Sequence, residues 1–381
     1  MLLDASQAFD RVQYVKLFKL LLQRGTCPLT ARFLARLYTS QSISVQWNGQ
    51  KSRLFTTSNG VKQGAILSPI LFCVYMDELL LELKKSSLGC HIGTRFCGSL
   101  GYADDVCVMA PSRYAIQRLL DICDSFALKY DVKFNSSKSQ LLLFNCPSNV
   151  CPITLNGNPL SVSLSGIHLG HPIGQDSDIS SISKGISDIV YRTNCVMSKF
   201  GHCNSDIRSH MFETYCSNYY GCPIWNLKSN YINRFYINWR KCVRKIWRIP
   251  QMTHGRILDH LINGSSIKCQ LFSRFLVFYY NTAQSDNVYV SLCSKLCKYS
   301  STNAAYNLRM LLHMLNDNGE CFNILRQPFL RKKLHDVFSC SNECASTGMC
   351  VRDLCLMRDG AYNAIYDTNS LNVFLCNVCI D

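Results

Sequence analysis

The chain has 381 residues, of which 48% are hydrophobic and 17% charged, a balance typical of a packed globule rather than a disordered tail. The length suggests two or three domains. Lys and Arg (40) outnumber Asp and Glu (25), and the net charge of +15 favours a polyanionic partner. With no long apolar run and no signal-like N-terminus, we expect a nuclear or cytoplasmic protein that is neither secreted nor membrane-spanning.

An aspartate directly follows a short apolar start at the N-terminus. Asp4 comes after two leucines, and the aromatic Phe9 lies five residues further on. We interpret Asp10, at the end of this segment, as a helix N-terminal carboxylate facing the dipole of a helix over 12–24. That helix is predicted from apolar residues at helical spacing and ends at Gly25.

A glycine-bearing loop over 59–69 leads into the next predicted helix. Ser68 is the expected N-cap and Pro69 the first helical residue, and the segment 69–80 is apolar enough to be buried. Before this loop, alternation over 42–47 predicts a strand that turns at Asn48 and Gly49.

The tetrad Tyr102-Ala103-Asp104-Asp105 places two adjacent carboxylates at a tight turn between strand-like runs. Like charges at this distance raise one another's pKa, and a divalent cation offsets the repulsion because Mg²⁺ prefers oxygen ligands shared with substrate phosphates. Considered alone, an Asp-Asp pair is more simply a solvated turn. The neighbouring motifs decide between these interpretations.

Further signals follow the tetrad. Ser112 is predicted to cap a helix that runs to about Tyr130, and Lys138 lies in a turn that leads into a strand. A second turn is expected over 156–159, followed by a glycine-bounded segment over 166–170.

In this order and spacing, the four motifs over about residues 1–175 resemble the palm of reverse transcriptases, most closely that of jockey-like non-LTR retrotransposons. The resemblance implies an α+β fold in which a right-hand polymerase palm, an antiparallel sheet backed by helices, precedes an all-helical thumb and C-terminal region. The segment 166–170 resembles the primer-grip hairpin of that family. The implied function is RNA-directed DNA polymerase, with an RNA template, a DNA primer and dNTPs as partners; protein partners stay open.

The resemblance also assigns roles in catalysis. Asp4 and Asp104 are implied as the principal ligands of two Mg²⁺ ions that clamp the attacking and leaving oxygens, and Asp105 belongs to the same site. Lys138 matches a lysine that protonates the pyrophosphate leaving group. Its alternative is a solvated turn lysine.

Other matching residues are implied in substrate binding. Phe9 matches the aromatic that packs under the incoming sugar and excludes a 2'-hydroxyl, with a core aromatic as the alternative. Gln63 and Gly64 match the loop that approaches the nucleotide, and Tyr102 is placed on the substrate side. Ala65 departs from the pattern, in which a second glycine commonly follows; with a positive φ it would strain the loop by roughly 1 kcal/mol.

Only three residues precede Asp4, whereas the family places there a fingers region whose Lys and Arg hold the triphosphate. We therefore expect a C-terminal fragment of a retroelement protein, with a palm over 1–175 that lacks most of the fingers. The alternatives to a polymerase are a non-catalytic nucleic-acid-binding remnant and, more weakly, a maturase-like RNA-folding role.

Helical periodicity begins near Asp176, and 176–335 is predicted as a helical thumb and connecting region. Its segment 228–250 contains no acidic residue and interleaves aromatic rings with cations. A basic helix of this kind can hold a nucleic-acid backbone, and the alternative is an amphipathic helix with buried rings and a solvated basic face. Both can be true at once. The predicted nucleic-acid-binding residues are Arg234, Arg240, Lys241, Arg244, Lys245 and Arg248.

The remaining region, 336–381, is a cysteine-rich tail. The chain has 23 cysteines and no secretory signal, so we interpret most of them as reduced thiols. Two Cys pairs, Cys340 with Cys344 and Cys376 with Cys379, have spacings that suit Zn²⁺, and elements of this kind often carry a C-terminal zinc knuckle. Ordinary thiols are the favoured interpretation.

Overall fold

A computed structural model describes residues 1–145, 152–253, 255, 258, 261–262, 266–297 and 299–314. The chain divides into two compact units between Gln175 and Asp176. The tail cysteines at 340, 344, 376 and 379, and with them the predicted zinc site, lie outside the described residues. Each described cysteine is a free thiol, and several are buried: Cys123, Cys216, Cys222, Cys242 and Cys269.

The first unit mixes helices with small sheets, as an α+β fold requires. Its helices are α1 (Tyr14–Gln23), α2 (Pro28–Thr39), α3 (Ser68–Ser86) and α4 (Arg113–Tyr130). Its strands are short: β1 (Leu2–Leu3), β2 (Ala5–Ser6), β3 (Ser42–Ile43), β4 (Gln46–Trp47), β5 (Gln50–Lys51), β6 (Phe55–Thr56), β7 (His91–Ile92), β8 (Arg95–Phe96), β9 (Ser99–Tyr102), β10 (Asp105–Val108), β11 (Lys133–Phe134), β12 (Leu141–Leu142), β13 (Thr154–Leu155), β14 (Asn158–Pro159), β15 (Val162–Ser163), β16 (Ser165–His168) and β17 (His171–Gly174).

The ends of the helices follow their local signals closely. The Ser112 hydroxyl accepts a hydrogen bond from the Ala115 amide (3.2 Å), so α4 begins where the sequence predicts. Helix α3 begins one residue early, because Leu67 rather than Ser68 occupies the cap. The predicted strand over 42–47 is interrupted, since β3 pairs with β6 while β4 pairs with β5.

The interpretation of Asp10 as a helix N-terminal carboxylate is wrong. Helix α1 begins at Tyr14, and its first turn contains no acidic residue. Asp10 instead lies in a turn in which the Gln7 carbonyl accepts hydrogen bonds from the Asp10 and Arg11 amides (3.1 and 3.2 Å). The dipole of α1 therefore acts on other groups.

A three-stranded antiparallel sheet has the order β1-β10-β9, with β10 contributing buried side chains and β9 largely exposed, and β2 pairs separately with β11. Helices α3 and α4 pack on one another, α3 against β9, and α4 against β11 and β13. Fully buried side chains from all of these layers form one cluster, including Phe72, Tyr75, Leu79, Leu119, Phe126, Val106 and Val108. Apolar burial on both helices therefore fixes the position of the central β10 strand.

The described part of the second unit is helical and contains no strand. Its helices are α5 (Ser177–Phe200), α6 (Ser205–Cys216), α7 (Asn230–Trp247), α8 (Ile267–Ala283), α9 (Val288–Cys297) and α10 (Asn303–Met314), with a 3₁₀ turn at Cys222–Ile224. Trp225, Trp239 and Trp247 are fully buried in its core. Among the helices described in either unit, none combines the length and the hydropathy needed to cross a bilayer.

Candidate functional site

Strand pairing brings Asp4 to the tetrad despite the hundred residues between them. In the β1–β10 pair Leu3 lies opposite Val106, and in the β9–β10 hairpin Tyr102 lies opposite Asp105. Asp4 is the next residue after Leu3, so it follows β1 at the level where Asp105 begins β10. The hairpin turn itself consists of Ala103, with φ of 52°, and Asp104.

The three carboxylates are half-buried and close enough for their charges to interact. Burial raises the pKa of Asp105 above its ordinary value, and the charges of Asp104 and Asp4 raise it further. His168 acts on the same carboxyl in the opposite direction. Within the described residues, no three His, Cys, Asp or Glu side chains lie at the spacing of a preformed metal site.

Backbone hydrogen bonds hold Asp4 against the turn that carries Lys138. The Asp4 amide donates to the Ser139 hydroxyl (3.1 Å), and the Asp4 carbonyl accepts from the Asn135 amide (2.8 Å). The Asn135 side-chain oxygen accepts in turn from the amides of Ser137 (3.0 Å) and Lys138 (3.3 Å). The turn is thereby closed by its own asparagine and anchored to the strand that leads to Asp4.

Asp4 and the exposed Lys138 line the same open cavity, of about 930 Å³. Its other walls come from the β2–β11 pair, the end of α4 and the β13–β14 turn, and it contains further charged side chains: Arg11, Asp131 and Lys133. Arg11 and Asp131 form an ion pair with one another. The cavity therefore connects one of the three carboxylates to a lysine whose charge faces open space.

The loop that carries Gln63 is held against the segment after β2. The Phe9 carbonyl accepts from the Val61 amide and the Val12 carbonyl from the Gly60 amide, both at 2.8 Å. Gly60 has φ of +89°, and a Cβ there would lie 2.8 Å from the Asp10 carbonyl oxygen. Only glycine permits this close approach of two backbones.

The Phe9 ring is half-buried and stacks on Phe72, with ring centroids 4.5 Å apart and planes at 15°. Because Phe72 is fully buried in α3, the position of the Phe9 ring is fixed by the core. One face of Phe9 therefore packs on the core, and the residue keeps an exposed portion.

Gln63 and Gly64 are exposed, and Gly64 has φ of +83° with open space around its Cα. Ala65 is not among the residues with positive φ, so the strain anticipated for it does not arise. Tyr102 is 66% exposed at the hairpin. Across the described residues, no hydrogen bond joins Gln63 or Tyr102 to the three carboxylates.

Two residues of this region were missed by the sequence motifs. His168, at the end of β16, is near enough to Asp105 to act on its pKa, and the buried Ser139 hydroxyl supports Asp4. The segment 166–170 was singled out from the sequence, yet no spacing pattern connects His168 with a residue sixty positions earlier. Nothing in the sequence distinguishes Ser139 from the other serines of its turn.

Helix α7 separates its rings from its cations. Phe235, Tyr236, Trp239 and Trp247 are buried, whereas Tyr231 is 39% exposed. The amphipathic interpretation is thus accurate for four of the five rings. The cations occupy the other face: Arg234, Lys241, Lys245 and Arg248 are exposed, and Arg240 and Arg244 half-buried.

Three of these cations contact neutral groups. The Lys245 ammonium donates to the Asn194 side-chain oxygen (2.6 Å), the Arg248 guanidinium to the Gly201 carbonyl, and Arg234 lies over the Tyr231 ring at 5.4 Å. Within the described part of the chain, no ion pair joins Arg234, Arg240, Lys241, Arg244 or Lys245 to a carboxylate. The positive charge of this face is therefore available to an external anion.

Comparison with known proteins agrees with these features. Residues 1–177 match the reverse transcriptase (RNA-dependent DNA polymerase) family. The chain is 33% identical over 136 residues to a Retrovirus-related Pol polyprotein from type-2 retrotransposable element R2DM of Drosophila melanogaster, a match covering 36% of this chain and 13% of that protein.

Two longer matches extend beyond the first unit. The RNA-directed DNA polymerase from mobile element jockey of Drosophila funebris is 23% identical over 274 residues, covering 68% of this chain and 29% of that protein. A probable RNA-directed DNA polymerase from transposon X-element of Drosophila melanogaster is 25% identical over 277 residues, covering 67% and 29%. The chain thus spans less than a third of the length of these relatives. Residues 1–177 belong to the reverse transcriptase family, in the form found in non-LTR retrotransposons.

Proposed function

We propose that the chain is an RNA-directed DNA polymerase that adds dNTPs to the 3' end of a DNA primer on an RNA template. One observation carries this proposal: the β1–β10 register sets Asp4 at the level of Asp105, beside the hairpin that holds Asp104. In this proposal residues 1–175 are the palm, and 176–335 are the thumb and connecting region.

The residues that would hold two Mg²⁺ ions are Asp4, Asp104 and Asp105. They suit the ions chemically, because all three offer oxygen ligands, keep an exposed portion for substrate and repel one another without a cation. The raised pKa of Asp105 is the sign of that repulsion and of burial. When bound, the ions supply Lewis-acid stabilisation of the charge that develops on the reacting phosphate.

Lys138 is proposed to donate a proton from its ammonium group to the departing pyrophosphate. Two features support this role: the lysine shares a cavity with Asp4, and its turn is fixed by the Asn135 side chain. A lysine side chain can act as a general acid in a step of this kind.

Nucleotide selection is proposed for Phe9, with Gln63, Gly64 and Tyr102 in contact with the substrate. A ring held by Phe72 cannot easily move away from a bulkier sugar, so a 2'-hydroxyl would collide with it. The open space at Gly64 suits close approach of a ligand to the backbone.

The exposed cations of α7 are proposed to contact the phosphate backbone of the template–primer duplex. Their alignment on one helix face, opposite the buried rings, supports this role. Such contacts are independent of sequence and weaken as salt is added.

Primer extension tests the central proposal. The full chain is incubated with an RNA template, an annealed DNA primer, dNTPs and Mg²⁺, alongside an Asp104→Ala, Asp105→Ala variant. A matched control is Asp286→Ala, which removes an exposed carboxylate between α8 and α9. We expect extension by the wild type and the control but not by the double variant. A wild type that binds the duplex without extending it would favour the non-catalytic remnant instead.

A further inference from the structure

Arg240 and Arg244 differ from the other cations of α7. They lie one helical turn apart, so their side chains leave the helix on the same face. Both are half-buried, whereas Arg234, Lys241 and Lys245 are exposed. The pair therefore sits at the edge of the basic face, where it meets the packed side of the helix.

Polar atoms at this place lack partners. The Nε atom of Arg240, the Nε atom of Arg244 and the hydroxyl of Thr253 are all shielded from solvent, and none of them forms a hydrogen bond with the residues that the structure describes. Arg244 also binds the same loop, because its Nη2 atom donates to the Thr253 carbonyl (2.8 Å). A buried donor without an acceptor is costly and rare in proteins, so three such polar atoms at one place need an explanation.

The charges of Arg240 and Arg244 also need an explanation. Burial lowers the pKa of the Arg244 guanidinium, and the charge of Arg240 lowers it further. No carboxylate forms an ion pair with either residue in the part of the chain that the structure describes. Partly buried charges of one sign are normally paired, and among the described residues these two have no carboxylate partner.

Gly255 brings the loop backbone close to the Arg240 guanidinium. A Cβ at position 255 would lie 3.1 Å from the Arg240 Nε atom and 3.2 Å from its Cζ atom. The absence of a side chain here allows the backbone to approach the guanidinium closely.

We propose that Arg240, Arg244 and Thr253 form a binding site for one phosphate group of a nucleic-acid backbone. The proposal rests on the proposed contact of α7 with nucleic acid, which it deepens by naming the residues that hold a single phosphate. Guanidinium groups match a tetrahedral phosphate with paired N–H donors, and a hydroxyl adds one more donor. The exposed cations of the same face would supply only diffuse attraction.

Charge-conserving substitutions separate this site from the surrounding basic surface. Arg240→Lys and Arg244→Lys keep the charge but remove the guanidinium donors, and Arg32→Lys, at an exposed position on α2, is the matched control outside α7. Binding of the full chain to a fluorescent RNA–DNA duplex is measured by anisotropy over a series of salt concentrations. We expect each pocket variant to lose affinity about fivefold or more, and the control to stay within about twofold. Affinities within twofold for all three variants would overturn the proposal.

Inorganic phosphate provides a second measurement that needs neither catalysis nor duplex. Phosphate should raise the Tm of the wild type and of Arg32→Lys by several degrees above chloride at equal ionic strength, and that increase should be lost in Arg240→Lys/Arg244→Lys. Arg240→Lys should melt no lower than the wild type without phosphate, because the buried Nε atom of Arg240 forms no hydrogen bond with the described residues that could be lost. An equal phosphate-induced increase in wild type and double variant would contradict the site.

The two measurements also separate this inference from the proposed function. An Asp104→Ala, Asp105→Ala variant should keep both the duplex affinity and the phosphate-induced increase in Tm. A wild type with the phosphate effect but no duplex affinity would reject nucleic acid as the ligand and therefore overturn the proposal as stated. Loss of polymerase activity alone has no bearing on it.

Discussion

The carboxylate site of the first unit and the arginine pair of the second both gather like charges, but by different means. Asp4, Asp104 and Asp105 meet because distant segments pair in an antiparallel sheet. Arg240 and Arg244 meet because they are four residues apart on one helix. The first arrangement depends on the whole fold of its unit, whereas the second needs only a helix and the loop that follows it.

Because the two sites gather charges of opposite sign, the pKa values of their residues shift in opposite directions. Burial and neighbouring carboxylates raise the pKa of Asp105, and burial and a neighbouring guanidinium lower the pKa of Arg244. In both places the charged form is disfavoured until a ligand of opposite charge arrives. We propose a divalent cation as the ligand of the first site and a phosphate group as the ligand of the second.

The largest expected effect concerns the carboxylate site, which is assembled by long-range strand pairing. Asp4→Asn should reduce primer extension about a thousandfold or more, as Asp104→Asn should, because metal-based charge stabilisation contributes several kcal/mol. Single-turnover extension rates measure the loss, with Asp286→Asn as the control. An Asp4→Asn rate within tenfold of the wild type would show that Asp4 does not belong with the hairpin pair.

Adding a side chain to a closely packed glycine should lower the free energy of unfolding more in the first unit than in the second. Gly60→Ala should lower the free energy of unfolding by about 2 kcal/mol or more, because its Cβ would meet the Asp10 backbone at 2.8 Å with φ of +89°. Gly255→Ala meets only the flexible end of Arg240 and should change stability by less than about 1 kcal/mol. Chemical denaturation of both variants measures the difference. Equal losses would remove this distinction between the two regions.

Substitution of Phe9 should have a smaller effect, on the selection between rNTPs and dNTPs at the carboxylate site. Phe9→Ala should increase the use of rNTPs relative to dNTPs about tenfold or more, because the ring that opposes a 2'-hydroxyl is gone. The control is Phe33→Ala, which removes an exposed ring on α2. Relative kcat/KM for matched rNTP and dNTP pairs is the measurement. Unchanged selectivity with intact dNTP extension would assign Phe9 to the core alone.

The smallest expected effect concerns the repulsion itself. The raised pKa of Asp105 means that its favourable contribution to stability is present at low pH and is lost as the pH rises through that pKa. Asp105→Asn should therefore match the wild type below the ordinary Asp pKa of about 3.9 and exceed it at neutral pH. The gain should stay below about 1 kcal/mol, since a half-exposed carboxylate is screened by solvent. Denaturant unfolding at acidic and neutral pH, without divalent cations, tests the trend, and a gain that shrinks as pH rises would contradict it.

Local signals in the sequence predicted local structure well. The Asn48-Gly49 and Asn156-Gly157 turns have positive φ at both residues, and Ser112 caps α4, because each signal depends on neighbouring backbone alone. The α7 pattern likewise predicted a helix with buried rings. The predicted strand over 42–47 failed because its two halves pair with different strands, which is decided outside the segment.

The carboxylate site could not be predicted from local patterns. Its assembly depends on the β1–β10 register, and only the resemblance to reverse transcriptases indicated that Asp4 belongs with the tetrad. His168 shows the limit most clearly, because a hairpin in another part of the unit brings it to Asp105. Both arginines were predicted from the sequence to bind nucleic acid. Their distinct environment could not be predicted, because it is formed together with the loop at Thr253, whose carbonyl accepts a hydrogen bond from Arg244.

Metal binding tests the central claim most directly. Mn²⁺, as a spectroscopic substitute for Mg²⁺, is counted by electron paramagnetic resonance in the full chain with template, a chain-terminated primer and dNTP. We predict two bound ions per wild-type chain, fewer in Asp104→Asn, and an unchanged number in Arg240→Lys/Arg244→Lys. The same number of bound ions in the wild type and in Asp104→Asn would contradict the assignment of the three carboxylates as a polymerase metal site.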